Sequence, residues 1–215
     1  TYLWIGSTVT LQDEGDRKPE GWMWGGAANK ADLPSPEEIA KLAMTRAQRQ
    51  LGSAKGPTSK TSMIIDPSAA GQMVARLLGP ANGRSIQQGQ SFWLDKLGEK
   101  MVSDKLVVID NPLLKRGLAS RLYDGEGIAA KEMPLIADGA LQNYYLDTYY
   151  AKKLEMTPTT ASASNRIVQP GERSLDELIA ACDKGIYATG FLGGNADGTT
   201  GDFSFGVRGH LIEGG

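Results

Sequence analysis

The closing stretch, Gly190 to Gly215, constrains this chain more than any other. Glycine recurs there about every third residue, yet Phe203, Phe205, Val207 and the pair Leu211/Ile212 keep a partly period-2 pattern, broken by Gly206 and Gly209. Flexible linkers do not carry regularly placed aromatics, so the stretch predicts a strand from Asp202 to Ile212. Glycines inside a strand admit another backbone or a ligand, or let the strand bend. Residues 193–201 read as a β-turn or crossover loop. Glu213, Gly214 and Gly215 read as the turn of a hairpin whose second strand is missing. At the other end, Thr1 to Leu11 is β-branched and aromatic, a strand with no start signal before it. Both ends predict a fragment of a longer protein, with an unpaired strand edge that promotes aggregation.

Composition agrees with a loop-rich, β-rich chain. Of 215 residues, 27 are glycine and only 40% are hydrophobic, which argues against a helical bundle. The formal net charge is -2 and no run of five like charges occurs, so neither nucleic acid nor an anionic membrane is favoured by charge. No apolar run approaches the ~20 residues of a membrane span. One cysteine, Cys182, excludes an internal disulfide and fits a reducing compartment.

Helix signals are clear in three places. Ser35, Pro36 and Glu38 form a capping box ahead of Ile39, Leu42, Ala43, Ala47 and Leu51. Asp66 and Pro67 open a second helix that runs through Leu78 to a stop at Gly79-Pro80. Ser174 and Glu177 cap a third, with Leu175, Leu178, Ile179, Cys182 and Ile186 as its expected buried face. Shorter helices are expected from Ser91 to Leu97 or Gly98, and from Asp147 to Leu154 with Tyr149, Tyr150 and Leu154 facing the core. Trp22 to Trp24, Ser62 to Ile65 and Lys105 to Ile109 read as strands. Asp138-Gly139 marks a hairpin between 129–136 and 140–146. Residues 54–61 are small and polar and mark a boundary, while 157–165 read as mobile or docked only by a partner.

Familiar catalytic sets are incomplete. Zinc hydrolysis needs three protein ligands and a base, and the single histidine, His210, with Cys182 supplies two ligands at most. No Gly-x-Ser-x-Gly elbow accompanies His210, which reads as structural. Asn195, Asp197, Gly198 and Asp202 resemble part of a calcium loop but lack the closing Glu and flanking helices. No Lys-Ser/Thr follows the glycines to make a phosphate loop. Cys182 reads as a small core residue.

Several segments in order resemble the TldD/PmbA family, also called the modulator-of-gyrase family. They are Gly15-Asp16-Arg17 with Trp22-Met23-Trp24, Ala31 to Pro34, Ser91 to Gly98, Gly117 to Ser120, Tyr123 to Gly127, and Thr200 to Gly206 followed by Leu211 to Gly214. The resemblance implies an α+β fold: residues 1–57 as the tail of an N-terminal α/β domain, and 58–215 as most of a β-rich C-terminal domain with a few helices. It also implies two branches that pair, one a zinc metalloprotease and the other a metal-free partner. The protease branch carries His-Glu-x-x-x-His on the helix matching Asp66 to Gly79. Here Ala75, Arg76 and Pro80 stand where His, Glu and His would be, with Gly79 before the last. The chain therefore resembles the PmbA (TldE) branch, with a vestigial metal helix at Ala75, Arg76, Gly79 and Pro80.

The same resemblance implies a cytoplasmic subunit that carries no cofactor and assists proteolysis of unfolded peptides. Zinc is expected only in a partner bearing the two histidines. The partner is a second copy or a TldD-like paralogue, and extended peptides are the substrates. The strand residues Asp202, Phe203, Ser204, Phe205, Gly206, Arg208 and Gly209 are expected at the peptide cavity or dimer interface. Direct nucleic-acid or membrane binding is not expected. Two alternatives remain open: an active zinc peptidase with ligands outside this segment, or a non-enzymatic protein that modulates DNA gyrase or a toxin–antitoxin system.

Overall fold

The structure is a computed structural model that describes residues 2–215. The fold is α+β and divides into two compact units, one of residues 1–57 with 113–120 and the other of 58–112 with 121–215.

In the smaller unit, β1 (Leu3–Thr10) and β2 (Glu20–Ala27) form an antiparallel hairpin. Helix α1 (Pro36–Gln48) starts at the expected capping box, where the Ser35 hydroxyl accepts from Glu38 N–H and the Glu38 carboxylate accepts from Ser35 N–H. Its buried stripe, Ile39, Ala43 and Ala47, lies against β2. Small residues are required there, since a Cβ on Gly21 would stand 2.1 Å from the Ala43 carbonyl. Residues 113–120 belong to this unit, with Arg116 bonded to Asp32 at 2.8 Å.

In the larger unit, β3 (Ser62–Ile65) leads into α2 (Pro67–Leu78), capped by the Asp66 carboxylate. A short α3 (Gly83–Gln87) and β4 (Val108–Asp110) follow. The Asp138-Gly139 turn joins β5 (Met133–Ala137) to β6 (Ala140–Leu141), with positive φ at both residues (52° and 78°) as such a tight hairpin demands. Next come α4 (Thr148–Lys153), β7 (Arg166–Val168), α5 (Leu175–Ala180) and the long pair β8 (Lys184–Ala196) and β9 (Phe203–Glu213). Two sheets result, ordered β3-β8-β9 and β6-β5-β4-β7. The core gathers Leu78, Trp93, Val108, Leu135, Ile136 and Leu146 between α2 and the four-stranded sheet. Trp93 is fully buried because its indole N–H donates to Leu77 O at 2.7 Å.

Several expectations need correction. Ser91 to Gly98 forms successive turns, not a helix, because Ser91 Oγ and buried Trp93 tie the segment to Pro80 and Leu77. Helix α5 buries no residue, and Ile186 lies on β8, not on that helix. Tyr149 faces solvent, with the Lys153 ammonium 4.7 Å from its ring. Residues 157–165 are docked by their own unit: Thr159 Oγ1 accepts from Leu146 N–H and donates to Tyr144 O. The largest omission is β8, whose alternation was hidden by its glycines.

Candidate functional site

Helix α2 and the β8–β9 hairpin enclose the candidate site. Asp66 and Pro67 fix where α2 begins, and that start decides which residues turn toward the hairpin. The hairpin tip is held rigidly. Asp197 N–H donates to Asp202 O, Gly201 N–H donates to Asp197 O, and the Asp197 carboxylate accepts from Thr199 N–H at 2.7 Å. The Thr199 amide, helped by the Thr200 amide and the Thr199 hydroxyl, outweighs burial and holds the Asp197 carboxyl below its usual range. Phe92 N–H donates to Gly198 O at 2.9 Å and pins the tip beside Pro80, where a Cβ on Gly198 would meet the Pro80 ring at 3.1 Å.

Two hollows flank the helix. One, of about 340 Å³, is walled by Arg76, Gly79, Pro80, Phe92, Asp197 and Phe203. The other, of about 330 Å³, is walled by Gln72, Arg76, Phe191, Gly193, Gly194 and Phe205. Ala75 and Arg76 line both. The Arg76 guanidinium lies over the Phe205 ring, 5.9 Å from its centroid. Phe205 in turn packs on Phe203 and Phe191, with centroids 5.7 and 5.9 Å away.

The structure thus gathers Ala75, Arg76, Gly79, Pro80, Phe203 and Phe205 around one helix face. It does not bring the other predicted strand residues into either hollow. Asp202 holds the turn through Thr200. Ser204, Gly206, Arg208 and Gly209 belong to the ladder with β8. The close backbone approach inferred for Gly206 and Gly209 is made by β8 itself: added Cβ atoms would meet Leu192 O at 2.9 Å and Tyr187 O at 2.1 Å.

A family model for the PmbA/TldA metallopeptidase C-terminal domain matches residues 58–215. The chain belongs to the PmbA/TldD family. The metalloprotease PmbA homolog of Buchnera aphidicola subsp. Acyrthosiphon pisum is 32% identical over 184 residues, covering 85% of this chain and 41% of that protein. Metalloprotease PmbA of Escherichia coli O157:H7 is 28% identical over 98% of this chain and 47% of its own. A Bacteroides thetaiotaomicron protein solved as a candidate modulator of DNA gyrase superposes with a TM-score of 0.94 at 36% identity, over 99% of this chain and 48% of that one. TldE from Thermococcus kodakarensis shares the fold, with a TM-score of 0.85 at 20% identity. The chain spans less than half the length of the curated relatives named here.

The family name raises the question of a metal, and the donor set around α2 does not fit one. Zinc asks for imidazole, thiolate or carboxylate ligands. The helix face offers a methyl group, a permanently protonated guanidinium and a proline ring. His210 and Cys182 line neither hollow; His210 stacks near Tyr187, and Cys182 Sγ lies against Gly185. Among the described residues, no three His, Cys, Asp or Glu side chains are placed to hold a metal. Among the same residues, no helix is long and apolar enough to cross a membrane.

Sequence reasoning passed over a second polar site. Asp110, almost fully buried, accepts from Tyr145 Oη at 2.7 Å and from Ser164 N–H at 2.8 Å, and the Ser164 hydroxyl also bonds to it. Burial and that carboxylate together push the Tyr145 phenol far up. Buried Asp124 folds its own loop, accepting from Glu126 N–H at 2.9 Å and Ile128 N–H at 3.0 Å. Burial opposes its ionisation, but the Ile128, Glu126 and Ala161 amides and the Arg121 charge prevail and hold its carboxyl below the usual range. The only sequence signal for the loop was Asp124 followed by Gly125 and Gly127.

Proposed function

We propose that the chain is a PmbA/TldE-like subunit of a cytoplasmic peptidase system, metal-free itself, that holds extended unfolded peptides for a partner subunit to cleave. One observation carries this reading. The α2 face that meets the hairpin presents Ala75 and Arg76 to hollows of about 340 and 330 Å³, the larger also lined by Pro80 just past the helix end, with aromatic walls and no set of metal ligands. A peptide would lie between α2 and the hairpin, held by Phe203, Phe205 and Phe92, while the open edge of β9 offers backbone pairing to a peptide or to the paired subunit. The partner is a paralogue carrying the two histidines or a second copy.

The test is metal content and peptide hydrolysis of the purified chain, alone and mixed with such a paralogue. The expected result is no stoichiometric zinc and no cleavage alone, with cleavage in the mixture. Stoichiometric zinc on this chain, or cleavage by it alone, overturns the proposal. A second reading, protein binding that modulates gyrase, is supported by the likeness to the Bacteroides thetaiotaomicron candidate modulator of DNA gyrase. Co-purification with gyrase subunits in the absence of any paralogue would select it.

A further inference from the structure

We infer that Arg76, with the Gly193-Gly194 bulge opposite Phe205, forms a receptor for a carboxylate carried by the bound peptide. The inference rests on the peptide-holding role proposed above and adds a chemical preference to it.

Arg76 is exposed, and among the described residues its side chain makes no hydrogen bond or ion pair; its guanidinium lies over the face of Phe205. No Asp or Glu lines the 330 Å³ hollow on its β8 side. In the 340 Å³ hollow the only carboxylate is Asp197, which is committed to Thr199 N–H in the hairpin turn. A guanidinium held over an aromatic ring keeps its fork of N–H donors available for a planar anion.

The second half of the receptor is backbone. The β8–β9 ladder pairs Leu192 with Gly206 and then Asn195 with Ser204, so Gly193 and Gly194 together oppose Phe205. Both have positive φ, 47° and 111°, and both line the same hollow as Arg76. A bulge takes residues out of ladder pairing, and with no side chains the two glycines let a ligand approach their backbone closely. Glycine is obligatory at 194, where a Cβ would stand 2.1 Å from Ser204 O. An unpaired fork donor and a glycine bulge thus border one hollow whose other walls include Phe191 and Phe205. That combination suits a carboxylate attached to a chain with apolar side groups, at the C-terminus of a peptide or on an acidic residue within it. The net charge of -2 works against anions in general, so a preference for one here has to be local.

The experiment measures, by isothermal titration calorimetry, binding of unlabelled N-acetylated apolar heptapeptides in three forms: free acid, C-terminal amide, and amide with one internal Asp. The 215-residue chain is compared with Arg76→Gln and Arg76→Lys. At least one carboxylate form is expected to bind about tenfold more tightly than the neutral amide, roughly the 1.4 kcal/mol of one charge-assisted contact. Arg76→Gln should erase that difference and Arg76→Lys should retain part of it. A gain only for the free acid assigns the terminus, and a gain only for the Asp peptide assigns a side chain. Equal binding of acid and amide, or a preference that survives Arg76→Gln, overturns the inference while the peptide role stands. Absence of binding by all three peptides overturns both.

Discussion

Two hollows of about 340 Å³ lie in the larger unit, and they differ in what their charged groups are doing. Over β4 and β5, the hollow is lined by Asp110, Arg121 and Asp124, whose charges are turned on the chain itself. Asp110 anchors Tyr145 and Ser164, and the Arg121 guanidinium donates to Ala163 O at 3.0 Å and Thr160 Oγ1 at 3.2 Å. The two buried atoms there without a hydrogen bond, Arg121 Nε and Asp124 Oδ2, are closed off from solvent and so from any ligand. Beside α2 the pattern is reversed. The turn carboxylate is satisfied locally, but the Arg76 guanidinium has only a ring beneath it. A polar lining therefore says little about binding until its internal partners are subtracted. After subtraction the buried charges of the first hollow are architecture, with Lys131 left only at its exposed rim, and the second keeps Arg76 over its aromatic wall.

That contrast can be broken most forcefully at Asp110. Asp110→Ala removes a buried acceptor of three bonds and strands Tyr145 Oη and Ser164. With charged hydrogen bonds contributing about 1.5–3 kcal/mol each before relaxation, a loss of about 4 kcal/mol is expected in urea unfolding. A loss under about 1 kcal/mol would mean the site is not structural. Asp124→Asn should cost about 2 kcal/mol near neutral pH, because two backbone amides lose a charged acceptor. Its signature is in pH. The folded carboxyl is held below its unfolded value, so its stabilisation is full above the ordinary carboxylate range and disappears as pH falls through the folded value. The gap between wild type and Asp124→Asn should therefore close on acidification below about pH 4. A gap that widens there reverses the assignment.

Local chemistry explains which features were legible beforehand. The Ser35 and Ser174 boxes, the Asp66-Pro67 start and the Asp138-Gly139 hairpin are decided within four residues, and each forms at its expected position. Helix α5 shows the limit of that logic: Leu175 and Ile179 have helical spacing, but Leu175 is exposed and Ile179 only half-buried, so no fully buried face results. Strand β8 was missed because Gly185, Gly190, Gly193 and Gly194 dilute its alternation, and what crowds them is distant in sequence: Ser62 of β3 beside Gly185, and Arg208 and Ser204 of β9 beside Gly190 and Gly194. The helix positions at the candidate site could be chosen by family resemblance. Asp110 and Arg121 could not, since their partners Ser164 and Ala163 lie 54 and 42 residues away and nothing local links them.

The smallest expected effect discriminates most finely. If Arg76 is held for a ligand and not for the fold, its coupling to Phe205 should be weak. A double-mutant cycle of Arg76→Gln and Phe205→Leu, read by urea unfolding, should give about 0.5 kcal/mol, the usual contribution of an exposed cation over a ring. Arg76→Gln alone should move stability by no more than about 0.5 kcal/mol, because the residue is exposed and makes no hydrogen bond among the described residues. Phe205→Leu alone should cost more, since Phe205 also packs on Phe191 and Phe203. A coupling above about 2 kcal/mol would mean that the guanidinium clamps the hairpin onto α2. The two hollows would then be alike, each with its charge turned inward, and the carboxylate receptor would lose its donor.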